Sequence, residues 1–220
     1  MVSLPSVQTY FGTYATQQIN EKFNTNIKVE KVGLQFNGDV ELKNILIKDH
    51  KNDSLISIKE LNSSILSFAN INDNKLIFGG IDIYGLFFHI KTYRGEQASN
   101  LDIFTGKFKK TKETSSLFEL SATNLRVRDS YFKLTDENKT VQEILDFQKL
   151  YINADDFLIL GPVVQTQINA LRFKDARGVE MQNLETQFKY TPNAMFFEHL
   201  KIATNAIKDV VDGFGVVRLD

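Results

Sequence analysis

Residues 76–92 read LIFGGIDIYGLFFHIKT, and this stretch decides the predicted fold. Apolar residues alternate on both sides of the Gly79-Gly80 pair, and a period of two is typical of a β-strand. Simple alternation divides the side chains between two faces, with Ile81, Ile83 and Phe87 on one and Tyr84, Leu86, Phe88 and Ile90 on the other. A strand that is apolar on both faces must be covered on both. The glycine pair is typical of a bend or bulge inside such a strand.

The period of two continues through most of the chain. It appears before and after the hairpin signal Asn37-Gly38-Asp39, and it returns at residues 56–58. It resumes at Leu117 and runs nearly to the C-terminus, interrupted by residues 140–150, which fit either a short helix or a strand. The chain is therefore predicted to be mainly β. Alternation alone fits a filled β-sandwich core and an open groove equally well.

One segment has a helical period. Residues 6–23, SVQTYFGTYATQQINEKF, place apolar side chains four residues apart, and Ser6 after Pro5 fits a helix N-cap. Two interpretations are open for this amphipathic helix: it packs on the sheet, or it lies on a membrane surface. Packing is favoured because the polar face carries Gln, Thr and Asn rather than a band of Lys and Arg.

A polar stretch divides the chain in two. We predict the N-terminal helix and a first β-module over residues 1–104, a mobile polar loop over 105–116, and a second β-module over 117–220, with one sheet continuing through both modules. The four lysines between positions 107 and 112 allow a binding patch as an alternative. Neighbouring Glu and Thr residues dilute their charge and favour a surface loop.

Composition and motifs argue against catalysis. The formal net charge of −1 shows no basic excess for nucleic-acid binding, and the absence of cysteine excludes disulfides and thiolate metal ligands. The three histidines, His50, His89 and His199, are too scattered for a zinc motif, and no catalytic or phosphate-binding motif is present. We therefore predict no enzyme, no catalytic residue, no metal site and no cofactor. No apolar run approaches the ~20 residues that span a bilayer.

The neighbouring pair Asp49 and His50 would suit a catalytic or metal-binding cluster, but an internal repeat favours a turn. Asp49 ends the pattern ILIKD, which returns as LRVRD ending at Asp129 and as LRFKD ending at Asp175. Each copy predicts a strand whose Asp begins a turn by bonding nearby backbone N–H groups. His50 has no counterpart in the other two copies, so chemistry by an Asp–His pair is not expected.

Three segments carry a resemblance to a known family: DHKNDSL at 49–55, KTYRGE at 91–96 and NLDIF at 100–104. Together with the opening LPSVQTYFGTYATQQINEKFNTNIKVEKV and the later MFFEHLKIATNAIKD, they resemble the N-terminal region of the TamB-family translocation and assembly proteins of Gram-negative envelopes. The resemblance covers nearly the whole chain. Positions 105–116 and 139–165 match only in character.

TamB-family proteins belong with the AsmA-like proteins, which are similar in architecture to bridge-like lipid-transfer proteins. The resemblance implies an inner-membrane anchor followed by a long β-sheet curled into an apolar groove, a β-taco. That groove carries phospholipid acyl chains across the periplasm toward an outer-membrane barrel protein of the TamA/BamA type. This chain lacks the anchor and is far shorter than the family members. We therefore predict a periplasmic segment that is anchored to the inner membrane in the full-length protein.

With the resemblance, the predicted fold becomes an elongated, twisted antiparallel sheet curved into an open groove, with an N-terminal amphipathic helix. The predicted function is a non-catalytic segment of an envelope-spanning conduit that carries phospholipid between inner and outer membrane. An apolar lining lets acyl chains leave water, at roughly 0.8 kcal/mol per CH₂. The residues predicted to line the groove, each with plain core packing as the alternative, are Val32, Leu34, Phe36, Val40, Leu42, Ile56, Ile58, Ile83, Phe87, Phe118, Leu120, Leu125 and Val127.

Two functions of other classes remain open. A periplasmic assembly factor or scaffold for outer-membrane or secreted proteins would pair its open edge strands with client β-strands. A binding-only β-sandwich, such as an adhesin, would be a compact particle of two sheets. Co-purifying lipid would indicate the conduit, and strand-length peptides bound at an edge would indicate the scaffold.

Overall fold

The structure is a computed structural model that describes residues 16–34, 39–67, 75–108, 117–205 and 211–218. The described part of the predicted N-terminal helix, α1, is helical over residues 16–23. A second helix, α2, covers Asn100–Gly106. The strands are β1 Asn26–Leu34, β2 Asp39–Lys48, β3 Ser54–Ser67, β4 Lys75–Thr92, β5 Glu119–Asp136, β6 Glu143–Leu160, β7 Val163–Asp175, β8 Glu180–Thr191, β9 Ala194–Thr204 and β10 Val211–Arg218.

The ten strands form a single sheet in sequence order, from β1 to β10. Strand accounts for 72% of the structure, the sheet is not closed, and a short helix precedes it. The predicted mainly β fold with an open groove is therefore confirmed. One pair departs from the antiparallel pattern, because β4 and β5 are parallel. Parallel neighbours need a crossover connection, and the segment that contains α2 provides it.

The sheet continues through both predicted modules. β4 and β5 pair along their whole lengths, from Lys75 opposite Glu119 to Thr92 opposite Asp136. Residues 140–150, which fit a helix or a strand in the sequence, belong mostly to β6. The two modules are therefore halves of one continuous sheet.

The predicted mobile loop over 105–116 is wrong at its start. The end of α2 falls inside that range, and Phe108 is buried, with 8% exposure. α2 begins with a capping box, in which Ser99 Oγ accepts from the backbone N–H of Asp102 and the Asp102 carboxylate accepts from the backbone N–H of Ser99. Polar residues just before the predicted loop therefore start a helix that extends into it. Residues 109–116 lie outside the described ranges.

The strict alternation of side chains breaks in the middle of β5. The buried side chains of Ala122, Val127 and Ser130 are separated by pairs of adjacent exposed residues at 123–124 and 128–129. A strictly alternating strand would turn one residue of each pair inward. The alternation therefore slips by one residue at each pair. As a result, the buried side chains before and after the pair point to the same face of the sheet.

Left-handed backbone conformations lie at one of these shifts, in a line across the sheet that we call the crease. Asn44 in β2 has φ of 53°, Gly85 in β4 has 66° and Asp129 in β5 has 47°. The register places Gly85 beside Asp129, because Tyr84 pairs with Arg128, and Asn44 lies two strands away on the same line. Gly, Asn and Asp are the residues that adopt this conformation most easily.

A second shift lies at Gly79-Gly80, where a bulge interrupts β4. Ser63 pairs with Ile81 and Ile65 pairs with Phe78, so β4 has two residues where β3 has one. A bulge bends the strand and increases its twist. The bend predicted from the glycine pair is therefore confirmed.

The strands curve so far that their two ends approach each other. Leu76, near the start of β4, packs against an aromatic cluster that also contacts Phe104 of α2. Asn100, at the start of the same helix, bonds to the backbone of Lys91 near the end of β4. A straight strand from Leu76 to Lys91 would span about 50 Å, whereas four residues of helix advance only about 6 Å. The curved sheet forms a groove, and α2 lies between its two rims.

The crease can be tested at Gly85, where a Cβ would meet both strain and crowding. A Cβ there would lie 3.1 Å from the Cβ of Lys59 and 2.6 Å from its Cδ. We expect Gly85→Ala to lower the free energy of unfolding by about 2–3 kcal/mol in urea titrations, because left-handed backbone disfavours a Cβ. The matched control is Gly95→Ala, which also has positive φ but no atom within 4 Å of the added Cβ. Equal losses in the two variants would show that the crease is not crowded.

Candidate functional site

One face of the sheet is mostly apolar from β1 to β7. Residues that pair directly across strands project to the same face, so paired residues form a row across the sheet. One such row, the middle row, lies between the two shifts in alternation and contains only apolar side chains. Its members are Val32, Leu42, Leu61, Ile83, Val127, Ile152 and Leu171.

A second apolar row, the aromatic row, lies on the other side of the crease. Because the crease shifts the alternation by one residue, this row faces the same way as the middle row. The centroids of its successive Phe rings are 5.5, 5.6 and 3.7 Å apart. Its paired members are Ile27, Ile47, Ile56, Phe88, Phe132 and Phe147, and the ring of Phe173 in β7 continues the row by stacking on Phe147.

The two rows are not covered as a packed core would be. Of their side chains only Val127, at 2% exposure, and Phe173, at 8%, are buried, and the others are partly exposed. All strands in the described ranges belong to one sheet, so no second described sheet lies over these rows. The inward side chains of a filled β-sandwich are mostly buried. The concave face is therefore an open apolar groove.

The groove is long enough for a hydrocarbon chain. The two apolar rows cross seven strands, which make six steps of about 4.8 Å, so the apolar part of the groove runs for about 29 Å from β1 to β7. The hydrocarbon core of a bilayer is about 30 Å thick, and the chains of one leaflet fill half of it. The apolar rows are therefore about twice as long as a single acyl chain.

An aromatic cluster fills the groove at one rim. Its buried members are Phe23 of α1, Phe108 after α2, and Phe118 before β5. The centroids of Phe23 and Phe108 are 5.0 Å apart, and those of Phe108 and Phe118 are also 5.0 Å apart. α1 therefore packs on the sheet, as favoured from its polar face. Partly buried side chains pack around the cluster: Ile19, Leu76, Phe104, Leu120 and Ile159.

A cavity of about 880 Å³ lies between α1 and the first three strands. Ile45 and Ile58 lie on its sheet side, and Thr16 and Asn20 lie on its helix side. Ligand pockets in proteins typically measure about 300–1,000 Å³. The β1 end of the groove is therefore a pocket large enough to hold part of a lipid.

The opposite rim is held by the Asp49 carboxylate. Its Oδ1 accepts hydrogen bonds from the backbone N–H groups of Lys51 and Asp53, at 2.9 and 3.0 Å. Its Oδ2 accepts from the hydroxyl of Tyr93 at 2.7 Å and from Nδ2 of Asn100 at 3.1 Å. Asp49 therefore begins the predicted turn, and it also joins that turn to α2.

Asn100 replaces a missing piece of the β-ladder. Its Oδ1 accepts from the backbone N–H of Lys91 at 2.9 Å, and its Nδ2 donates to the carbonyl of His89 at 3.2 Å. Asn100 is only 1% exposed, so its side-chain amide and the backbone groups of Lys91 and His89 satisfy each other's hydrogen bonds. The three segments that carried the family resemblance thus meet at one point, here called the rim junction. The internal repeat had pointed to Asp49 alone, and only the resemblance had singled out all three segments, because nothing in their spacing predicts that they touch.

His50 is paired with Glu96 in the structure. His50 Nε2 lies 2.8 Å from Glu96 Oε2, and the His50 ring meets Tyr93 edge-on with centroids 5.5 Å apart. Lys51 also pairs with Glu96 at 2.8 Å. No group of three or more His, Cys, Asp or Glu side chains in the described part of the chain could hold a metal ion. These polar side chains form the surface of the rim beside the junction.

The repeat that predicted three turns holds for two of them. Asp175 is 6% exposed and accepts from the backbone N–H of Arg177 at 2.9 Å, as a turn residue does. Asp129 instead lies inside β5, at the crease, so its assignment to a turn is wrong. The turn after β5 begins seven residues later, where Asp136 accepts from the backbone N–H of Asn138 at 3.0 Å.

Most of the residues predicted to line the groove lie on its concave face. Phe87 does not, because the shift at Gly85 turns it outward, where its ring stacks on Tyr131 with centroids 5.5 Å apart. Phe118 lies in the aromatic cluster at the rim, the side chain of Leu34 is not described, and Phe36 lies outside the described ranges. The concave positions are Val32, Val40, Leu42, Ile56, Ile58, Ile83, Leu120, Leu125 and Val127.

Sequence reasoning missed several members of the two rows. They are Ile27, Ile47, Leu61, Phe88, Phe132, Phe147, Ile152, Leu171 and Phe173. All of them are apolar residues in strands, but a fixed period of two assigned Phe88 to the wrong face and gave no reason to prefer the others. A spacing of three between apolar residues, with Gly, Asn or Asp between them, is the signal that could have located them.

Comparisons with known proteins give no family. No family model matches the chain, and no curated protein matches it either. Among the described residues, no helix is long and apolar enough to cross a membrane.

The rim junction makes a prediction about pH. Burial raises the pKa of the Asp49 carboxyl, but hydrogen bonds from Tyr93, Asn100 and two backbone N–H groups outweigh it and hold that pKa below its ordinary value. A lowered pKa contributes stability above the ordinary Asp value of about 3.9, and that stability is lost as pH falls through the folded-state value. We expect Asp49→Asn to lower the free energy of unfolding by about 2–3 kcal/mol at pH 7.

The difference between wild type and Asp49→Asn should shrink as pH falls from 5 to 3, measured by urea titration at each pH. Asp156→Asn is the matched control, because Asp156 is exposed and its left-handed backbone, with φ of 52°, suits Asn equally. A difference that stays constant with pH would refute the proposed role of the Asp49 charge.

Proposed function

We propose that this chain is a non-catalytic segment of a lipid-transfer conduit that carries phospholipid along its groove between the inner and outer membranes of a Gram-negative envelope. The observation that carries the proposal is the pair of partly exposed apolar rows on the concave face. The resemblance to TamB-family proteins supports the same function. It adds a periplasmic location, an inner-membrane anchor elsewhere in the protein and an outer-membrane barrel partner of the TamA/BamA type.

The energetics of an apolar groove suit transfer. Each buried CH₂ contributes roughly 0.8 kcal/mol, so a dozen methylenes would hold a chain by about 10 kcal/mol before entropy is counted. The middle row offers no polar group that would fix the chain at one place. A uniform lining therefore holds hydrocarbon firmly and still lets it slide from strand to strand.

Two neighbouring phenylalanines provide a matched test. Phe88 belongs to the aromatic row, and Phe87, the residue just before it, lies on the opposite face. We expect wild-type protein to co-purify with phospholipid, detected by native mass spectrometry and lipid extraction beside a buffer-washed control. Phe88→Asp should lose most of that lipid, because a carboxylate in the groove disfavours hydrocarbon, whereas Phe87→Asp should retain it.

A second measurement covers the case in which Phe88→Asp fails to fold. The chain has no cysteine, so Leu61→Cys and Asn62→Cys can each carry a single spin label. Leu61 lies in the middle row and Asn62 on the other face. Lipid with a paramagnetic tail should broaden the spectrum of the label at position 61 and leave that of the label at position 62 unchanged. Folded wild type that stays free of lipid after incubation with liposomes would sink the proposal.

A second candidate function is a scaffold that pairs with client strands, and β10 is the observation that favours it. β10 lies at the end of the sheet and exposes Phe214 at 66%, Val216 at 44% and Val217 at 50%. At the other end Asn20 caps β1, bonding both the backbone N–H and the carbonyl of Ile27. Open, apolar edge strands recruit other strands. The single sheet gives no support to a two-sheet adhesin.

Substitutions in β10 distinguish the two proposed functions. We expect the double variant Phe214→Lys and Val216→Lys to abolish crosslinking to strand-forming client peptides if the scaffold is correct, because edge lysines block strand addition. Lipid content should stay at the wild-type level, since neither residue belongs to the two rows. Binding of clients that survives both substitutions would count against pairing at this edge.

A further inference from the structure

Helix α2 crosses the mouth of the groove and is fastened at both rims. Asn100 at its start belongs to the rim junction. Phe104, one turn later, packs against the aromatic cluster, with its ring centroid 5.3 Å from that of Phe108. Because α2 touches both rims within a single turn, it forms a strap over the groove.

One hydrogen bond ties this strap to a distant strand. The hydroxyl of Tyr190 in β8 donates to Oδ1 of Asp102 at 2.9 Å. The other oxygen of the same carboxylate accepts from the backbone N–H of Ser99 in the capping box. Tyr190 is 6% exposed, and burial followed by the Asp102 charge raises the pKa of its phenol, so the group stays a donor. The Tyr190–Asp102 bond is here called the latch.

The backbone beside the strap offers two places where it can turn. Gly95, before α2, has φ of 82° and no atom within 4 Å of a Cβ position. Gly106, the last residue of α2, is equally open. Hinges are commonly a few loop or element-terminal residues that absorb a change in backbone angles. The strap can therefore move without disturbing the sheet.

A strap over the mouth conflicts with the passage of a whole phospholipid. Acyl chains can lie in the groove, but a charged head group must stay in water at the mouth, because burying it without partners is strongly unfavourable. A head group that travels along the mouth therefore meets α2. Hydrocarbon alone could pass beneath, but an intact phospholipid could not.

We propose that α2 is a gate: an intact phospholipid passes β4–β8 only when the Tyr190–Asp102 latch breaks and the strap swings away from the mouth. This inference rests on the proposed lipid-transfer function. In the closed state the latch, the aromatic cluster and the rim junction hold α2 in place. In the open state α2 turns about Gly95 and Gly106, so the latch and the hydrogen bonds that Asn100 makes in the rim junction are released together.

The latch can be removed by Tyr190→Phe, which deletes one oxygen atom. We expect protein loaded with fluorescent phospholipid to release it to acceptor vesicles on the order of tenfold faster, as the loss of a hydrogen bond to a charged group predicts. Amide hydrogen exchange should rise in residues 100–106. Tyr131→Phe is the matched control, because Tyr131 donates a bond of the same kind to Asp146 at 2.5 Å on the opposite face. It should leave release unchanged.

The reverse variant locks the strap. In this cysteine-free chain, Asp102→Cys with Tyr190→Cys can be joined by a short bis-maleimide, and the joined protein should keep its lipid without releasing it. If wild type holds lipid but the joined protein and Tyr190→Phe both release it at the wild-type rate, the gate is wrong and the conduit stands. If wild type holds no lipid, the conduit and the gate fall together.

Discussion

A single sheet can line a groove only if its apolar side chains keep to one side while its strands bend, and the crease satisfies both conditions. Asn44, Gly85 and Asp129 take left-handed backbone conformations along one line across the sheet. With strict alternation, the side chains beyond that line would change faces, as they do after a slip of one residue in register. Phe88 would then point to solvent and Phe87 into the groove. The two apolar rows and the approach of the two rims all depend on this one shift.

Bending brings the rims together, and the rim junction converts that approach into a defined contact. Asp49 is a turn residue by sequence, yet half of its hydrogen bonds go to side chains more than forty positions away. Hydrogen bonds to a charged group are stronger than neutral ones, particularly when they are shielded from water. A local turn therefore also positions α2, and through α2 the Tyr190 side of the groove. The crease determines the curvature of the sheet, and the rim junction places α2 across the groove.

The sequence reveals the fold class because period-two patterns survive between the shifts, as in Val40 with Leu42, Ile56 with Ile58, and Leu125 with Val127. Prediction of the side-chain faces fails where the alternation shifts. Gly85 looks like any strand glycine, and Asp129 looks like the turn residues Asp49 and Asp175. The difference at Asp129 is made by neighbours on adjacent strands, which the local pattern does not contain. The parallel pairing of β4 and β5 was missed for a related reason, because its crossover helix is short and sits in a polar stretch.

The distribution of burial links this architecture to the proposed function. The polar junction lies at one rim and the tightly packed aromatic cluster at the other, while most side chains of the two rows remain partly exposed. A protein selected only for stability would fill such a groove, because each buried methylene stabilises the fold. Leaving Phe88, Phe132 and Phe147 partly exposed is therefore favourable only if something else covers them part of the time. A mobile hydrocarbon chain meets that requirement: it buries the same surface when present and leaves the sheet, held at its rims, intact when it departs.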